Sequence, residues 1–176
     1  MAKPGPLKVL GIDPGLTITG YGLVIAEGNH YRALKFGCVC PPTKAPQAER
    51  LLRIHDAISD FIRDSQPDEV AVEDFIVGHV RPAVAVGEAR AVAVVAAARA
   101  GLPVAFYKPL EVKQFVTSYG RGSKEQVALM VQAMLGLSEA PQPPDAADAL
   151  AVALCHCLKR GNLYLGGRTL ETGRRK

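Results

Sequence analysis

Residues 7–15 read Leu-Lys-Val-Leu-Gly-Ile-Asp-Pro-Gly, a short apolar run that ends in an acid and a Pro-Gly turn. A run of this length before a turn predicts a buried β-strand with Asp13 at its end. Two further strand patterns follow at residues 17–26 and 31–40, and the Gly-Asn pair between them is typical of a hairpin. Because tight turns join antiparallel neighbours, this part of the chain predicts a three-stranded antiparallel meander.

The rest of the chain alternates helical patterns with two short apolar runs. The runs Glu69–Glu73 and Val104–Tyr107 have the length and composition of buried strands. The predicted helices span residues 46–63, 82–100, 109–118, 123–135 and 145–158. This order of elements predicts an α/β protein with a mixed five-stranded sheet, three strands antiparallel and two parallel, flanked by helices.

Length and composition indicate one globular domain. The chain has 176 residues, 48% of them apolar, and a net charge of +4 with a pI near 8.9. We expect a single domain at residues 1–160 and a basic flexible tail at residues 161–176, which ends Arg-Arg-Lys. The mild positive charge permits a polyanionic partner without demonstrating one. The N-terminus has no signal-peptide pattern and no apolar run is long enough to cross a bilayer, so we expect a cytoplasmic protein.

The cysteines form two Cys-X-Cys pairs, Cys38 with Cys40 and Cys155 with Cys157. Zinc sites usually space their cysteines one residue further apart, as Cys-X2-Cys. Strand alternation predicts that Cys38 and Cys40 share a face directed at the core. Reduced thiols are the favoured interpretation, and zinc binding is the alternative.

Four acids stand at the edges of apolar runs, where a charge is costly to place. Asp13 and Glu73 end predicted strands, and Asp145 and Asp148 lie in the first turn of a predicted helix. Each has a structural alternative, because Asp-Pro-Gly makes a good turn and acids favour a helix N-terminus. Ligands of such sheets bind beyond the carboxyl ends of the parallel strands, so the four acids are expected to converge. Converging carboxylates repel one another unless a divalent cation lies between them, which predicts a metal site.

Several short motifs occur in a fixed order along nearly the whole chain. They are Gly11–Gly15, Thr19–Gly22, Val72-Glu73, Gly87–Arg90, Val112–Gln114, Lys124–Val127 and Asp145–Ala151. In sequence and spacing they resemble the RuvC family of Holliday-junction resolvases, within the ribonuclease H-like nucleases. The resemblance implies a ribonuclease H-like fold, a homodimer, and two Mg²⁺ or Mn²⁺ ions in each active site. It assigns Asp13, Glu73, Asp145 and Asp148 as metal ligands, and Lys113 and Lys124 as catalytic groups at the scissile phosphate.

The resemblance also implies partners and DNA contacts. The partners are four-way junction DNA and the branch-migration proteins RuvA and RuvB. The expected DNA-binding residues are Phe75, Arg81, Lys108, Lys113, Tyr119, Arg121 and Lys124, with Tyr107 beside them in a phosphate-lined channel. The stretch after Glu73 departs from the family pattern, and either Phe75 or Ile76 is the base-stacking wedge.

The implied activity is symmetric paired nicking of a junction by two-metal-ion hydrolysis, leaving 5′-phosphate and 3′-hydroxyl ends. One rival is an actin-like phosphotransferase, whose nucleotide loop also reads Asp-X-Gly-X-Thr, as residues 13–17 do. That class needs a duplicated domain and a second phosphate loop, which this chain lacks. The other rival is a non-catalytic junction-binding module, which would gain nothing from four acids facing DNA. The sequence does not indicate the preferred cleavage site.

Overall fold

The computed structural model describes residues 5–74, 80–117 and 122–169. Five strands and five helices make up these ranges, in the order expected from the sequence. They are β1 (Leu7–Asp13), β2 (Thr19–Glu27), β3 (His30–Val39), α1 (Gln47–Ser65), β4 (Glu69–Glu73), α2 (Val80–Arg99), β5 (Val104–Tyr107), α3 (Pro109–Thr117), α4 (Lys124–Leu135) and α5 (Pro144–Thr169).

The strands form one mixed sheet in the order β3-β2-β1-β4-β5. β1 pairs antiparallel with β2 and parallel with β4, and β4 pairs parallel with β5. The predicted sheet is therefore confirmed. In the β1–β4 register Ile12 lies opposite Val72, so the next residues, Asp13 and Glu73, end neighbouring strands at the same edge.

Each face of the sheet has its own apolar core. On one face, α1 and α2 cover alternate residues of β1 and β4, including Ile12 and Val72. On the other face, α3, α4 and α5 cover the residues that point the opposite way, including Val9 and Ala71. This division follows from strand alternation, because successive side chains leave a strand on opposite faces.

Two glycines allow α5 to lie directly on the sheet. A Cβ atom added at Gly11 in β1 would lie 2.0 Å from the carbonyl oxygen of Ala149. One added at Gly20 in β2 would lie 2.0 Å from the carbonyl oxygen of Asp145. Since any side chain at these positions would push the helix away, the glycines set the depth at which the acids of α5 sit.

A capping box fixes the start of α4. The Ser123 side chain accepts from the backbone N–H of Gln126, and the Gln126 side chain accepts from the backbone N–H of Ser123. The expected N-cap at Ser123 is confirmed, and it makes Lys124 the first residue of the helix.

Three sequence expectations are corrected. Helix α5 continues to Thr169 rather than ending at Leu158, because Gly161 weakens a helix by only about 1 kcal/mol and no proline follows it. Strand β2 begins at Thr19 rather than at residue 17, since the Thr19 hydroxyl donates to the Gly15 carbonyl oxygen at 2.7 Å and holds the preceding loop. Cys40 is exposed, because it follows the end of the edge strand β3.

All four thiols are free, with Cys155 and Cys157 buried in α5 and Cys38 half-buried. Reduced cysteines are therefore what the structure contains. Over the described ranges no helix combines the length and the apolarity needed to cross a membrane.

Candidate active site

Three of the four predicted acids line one cavity. Asp13 reaches it from the end of β1, Glu73 from the end of β4, and Asp148 from the start of α5. Lys113 of α3 and Lys124 of α4 line the same cavity, whose volume is about 270 Å³. The structure thus brings together side chains that are up to 135 positions apart in the numbering, from residue 13 to residue 148.

The electrostatics of this cavity disfavour a full set of ionised acids. Burial, followed by the charges of Glu73, Asp148 and Asp145, raises the pKa of Asp13 to about 9. Burial also raises the pKa of Glu73, although a hydrogen bond from Asp13 and the charges of Lys124 and Lys113 oppose the rise. At neutral pH the Asp13 carboxyl group therefore stays protonated and donates a hydrogen bond to Glu73, unless added positive charge enters the cavity.

Lys124 is the ionic partner of Asp148. Its Nζ atom lies 3.2 Å from Oδ2 of Asp148, and this contact is the main reason that the pKa of Lys124 is raised. The lysine side chain is 74% exposed, against 28% for the aspartate. An ion pair this open to solvent stabilises a fold by less than about 1 kcal/mol, so Lys124 is free to exchange Asp148 for another anion.

Asp145 occupies a different position from the other three acids. It does not line the cavity, although its charge contributes to the raised pKa of Asp13. It lies near Cys38, whose pKa is raised to about 11 by burial first and by Asp145 second. The backbone N–H of Ala146 donates to this thiol. The sequence analysis placed Cys38 on a strand face but did not associate it with the acids; the register that puts it opposite Gly20 in β2 brings it near Asp145.

The donor set fits a hard divalent cation by chemistry. Carboxylate oxygens are the ligands that Mg²⁺ and Mn²⁺ prefer, and a bound cation would offset both the burial and the neighbouring acids that raise the pKa of Asp13. Within the described ranges, however, no three His, Cys, Asp or Glu side chains are already arranged to hold a metal ion. Asp148, which bonds Lys124 here, is the acid whose partner has to change for a metal to bind.

The expected DNA contacts divide into two groups. Lys108 is exposed directly before α3, and Lys113 and Lys124 line the cavity. Outside the described residues lie Phe75, Ile76, Tyr119, Arg121 and the side chain of Arg81.

The expectation that Tyr107 lies in the phosphate-lined channel is wrong. Its side chain is only 4% exposed and faces α5 rather than solvent. Its hydroxyl group lies 2.8 Å from Nδ1 of His156, which the sequence analysis did not single out. Tyr107 is therefore unavailable to a nucleic acid.

Asp74 lies on the opposite face of the sheet from Glu73, as strand alternation predicts. Its Oδ1 atom lies 2.9 Å from Nη1 of Arg90 in α2, the helix that covers the other face. The Arg90 guanidinium in turn lies 4.6 Å from the ring centroid of Phe106. Glu73 is thus the one of these two adjacent acids that belongs to the cavity.

A mixed five-stranded sheet with acids at the ends of its first and fourth strands is the arrangement of the ribonuclease H-like class of nuclease folds. The similarity of this chain to solved RuvC structures supports the same class. The family model described as "Crossover junction endodeoxyribonuclease RuvC" matches residues 9–156. This chain belongs to that family, and the enzyme class expected from its sequence is confirmed.

Relatives and solved structures agree with this assignment. The RuvC endodeoxyribonuclease of Moorella thermoacetica is 52% identical over 151 residues, which cover 85% of this chain and 90% of that protein. The enzyme of Desulfitobacterium hafniense is 48% identical over 151 residues, 85% of this chain and 92% of that one. The structure described as Thermus thermophilus RuvC in complex with a Holliday junction substrate superimposes with a TM-score of 0.85 at 41% identity, covering 89% of this chain and 96% of that chain.

Proposed function

We propose that this protein resolves four-way DNA junctions by metal-dependent hydrolysis of one phosphodiester in each of two strands. One observation carries the proposal: Asp13, Glu73 and Asp148 meet two lysines in one cavity of a chain that belongs to this family. The Thermus thermophilus relative, whose structure is described as a complex with a Holliday junction substrate, supports the choice of DNA structure.

Asp13, Glu73 and Asp148 would hold the metal, with Asp145 completing the set beside Asp13. Two bound Mg²⁺ or Mn²⁺ ions would offset the charge of the phosphodiester and make a water molecule more acidic. Asp13 is suited to the central position, because it ends β1 between the other strand end and α5. Ionisation of Asp13 then becomes favourable, since the added positive charge offsets the burial and the neighbouring acids that raise its pKa.

The two lysines would hold the phosphate. Lys124 stands at the first position of α4, where the helix dipole also favours an anion. Its exposed contact with Asp148 is weak enough to exchange for a phosphate oxygen. Lys113 approaches from α3 on the other side of the cavity. Water attacks phosphorus and the bond to the 3′ oxygen breaks, so the products are a 5′-phosphate and a 3′-hydroxyl.

A homodimer formed through α2 would supply the second cut. Val84 and Val95 on this helix are 54% and 51% exposed. Eleven residues separate them, which is three turns of helix, so they lie on one face. Exposed Ala91 and Ala98 continue the same stripe. A two-fold pairing of this apolar stripe would remove it from water and present two cavities to one junction.

The remaining partners follow from the family. We propose that RuvA and RuvB deliver the junction by branch migration and that the protein works in the cytoplasm.

A nicking assay on a synthetic four-way junction tests the proposal. Wild-type protein should introduce paired nicks with Mg²⁺ or Mn²⁺ and none with EDTA, and a linear duplex of the same sequence should stay intact. The Asp13→Asn variant should bind the junction in EDTA as the wild type does and should not cut it. Binding without metal-dependent nicking by the wild type would instead favour a non-catalytic junction-binding module.

A further inference from the structure

A chain of hydrogen bonds runs through the core beneath α5. The Tyr107 hydroxyl lies 2.8 Å from Nδ1 of His156, and Nε2 of His156 lies 2.6 Å from Oε2 of Glu69. Arg160 completes the chain, with Nη2 at 2.5 Å from Oε1 of Glu69. His156 is only 4% exposed, and Thr19 is the one other polar side chain that the described part of the protein buries this fully.

Both ring nitrogens of His156 have a hydrogen-bond partner. In a neutral imidazole whose Nε2–H group donates to the Glu69 carboxylate, Nδ1 accepts from the Tyr107 hydroxyl group. Burial lowers the pKa of His156, in agreement with this neutral form. Both ring nitrogens therefore have a partner in a fixed direction.

The chain connects the same elements that build the candidate active site. Strand β4 presents Glu69 and Glu73 on one face, four residues or about 13 Å apart. Helix α5 presents His156 and Asp148, eight residues or about 12 Å apart along its axis. The two elements thus meet at two matched points, at Glu69 with His156 and at Glu73 with Asp148.

Strand β5, which carries Tyr107, also ends beside the candidate active site. Tyr107 lies opposite Glu73 in the parallel register of β4 and β5. A single imidazole in α5 therefore bonds directly to the start of β4 and to the end of β5.

Apolar packing holds α5 on the sheet, where Ala149 and Ala153 lie against Gly11 and Leu150 and Leu154 are fully buried. The hydrogen bonds of His156 add contacts with fixed directions to this packing. They resist a slide of the helix further, because a shift of about half an ångström lengthens each of them.

We infer that His156 is a positioning residue for the proposed metal site: by bonding Glu69 and Tyr107 it fixes α5 along β4 and thereby sets the separation of Asp148 from Glu73. The inference rests on the proposed function, since it assumes that these two acids hold metal. Metal ligation tolerates errors of only about 0.2 Å in ligand position, so a helix that slides weakens binding without unfolding the protein.

Mn²⁺ binding to the protein without DNA, measured by calorimetry, tests this inference. His156→Leu removes both hydrogen bonds at similar volume, and Tyr107→Phe removes one. We expect His156→Leu to weaken Mn²⁺ binding by about 10-fold, the lower end of the loss seen when a direct partner of a metal ligand is removed, because His156 acts through the helix rather than on a ligand. Tyr107→Phe should weaken it less. The Mg²⁺ concentration for half-maximal single-turnover cleavage should rise in the same order, with junction affinity in EDTA unchanged.

Ile58→Val is the matched control, because Ile58 is fully buried in α1 on the opposite face of the sheet. It should lower the melting temperature and leave Mn²⁺ affinity unchanged. If His156→Leu behaves like this control, His156 is only structural and the inference is wrong, while the proposed active site stands. Should His156→Leu fail to fold, Tyr107→Phe decides by the same comparison. Equal Mn²⁺ binding by wild type and Asp13→Asn would overturn the proposed site itself, and this inference with it.

Discussion

The ammonium group of Lys124 lies 3.2 Å from Oδ2 of Asp148, so the first residue of α4 bonds a residue just past the first turn of α5, and both side chains line the acidic cavity. The contact is open to solvent and contributes little to stability. It places a mobile positive charge beside the position where the phosphate is proposed to lie.

Replacement of this lysine tests its role. Lys124→Ala should slow single-turnover cleavage by about 100-fold, because one donor to the developing charge is lost, and should weaken junction binding far less. Its melting temperature should match that of the wild type. Lys44→Ala, which removes an exposed cation that lies outside the cavity and outside the expected DNA contacts, is the control and should cut at nearly the normal rate. An unchanged cleavage rate in Lys124→Ala would show that Lys124 is only a solvated surface charge with no role in cleavage.

The acid at the centre of the cavity should destabilise the metal-free protein. The pKa of Asp13 rises from 3.8 to about 9 on folding, so the folded state binds more protons between these values and stability falls as pH rises through that window. Asp13→Asn removes this dependence. In EDTA its melting temperature should exceed that of the wild type, and the difference should grow from pH 5 to pH 8. A variant that melts below the wild type at pH 8 would contradict the assigned burial and repulsion.

Bound metal should reverse the destabilisation by Asp13 in the wild type, but not in variants that lack one of the acids. Mn²⁺ binds the folded state, so it should raise the melting temperature of the wild type at pH 8 by mass action. Asp13→Asn, Glu73→Gln and Asp148→Asn should show little or no rise and no cleavage, whereas junction binding persists. Asp145→Asn should lose less than Asp148→Asn in both assays, because Asp145 does not line the cavity. Equal losses in the two aspartate variants would show that Asp145 ligates metal as directly as Asp148.

The proposed dimer is tested by two adjacent valines of α2. Val95 is 51% exposed on the proposed interface, whereas Val94 packs against the core between α2 and the sheet. Val95→Glu should give a folded monomer that nicks single strands without coordination, since an unpaired buried charge costs several kcal/mol. Val94→Glu should instead lower the melting temperature. Leu129→Glu, at a 60% exposed position on α4, is the control for surface charge. Light scattering measures the oligomeric state, and a junction cleavage assay measures whether both strands of one junction are cut. A wild type that is monomeric with and without DNA would rule out paired cutting.

Local patterns predicted the elements well. Strand β4 has the predicted bounds, Glu69–Glu73, because an apolar run between a proline and two acids leaves little freedom. Ser123 caps α4 as predicted, since a capping box depends on residues three apart. The predicted end of α5 at Leu158 is wrong, because a single glycine is a weak stop signal and neighbouring residues decide whether the helix continues.

Local sequence patterns were enough to predict the order of the strands and helices and the placement of Asp13, Glu73, Asp145 and Asp148 at their ends. These follow from interactions between residues close in the chain, and the order of motifs follows from descent. Tertiary structure alone decided the inward direction of Tyr107, the separation of Asp145 from the cavity and the choice of Val95 over Val94 as the exposed valine. Each of these depends on which distant element covers a given face, and that is fixed only when α5 settles on Gly11 and Gly20 and α2 packs on the opposite side of the sheet.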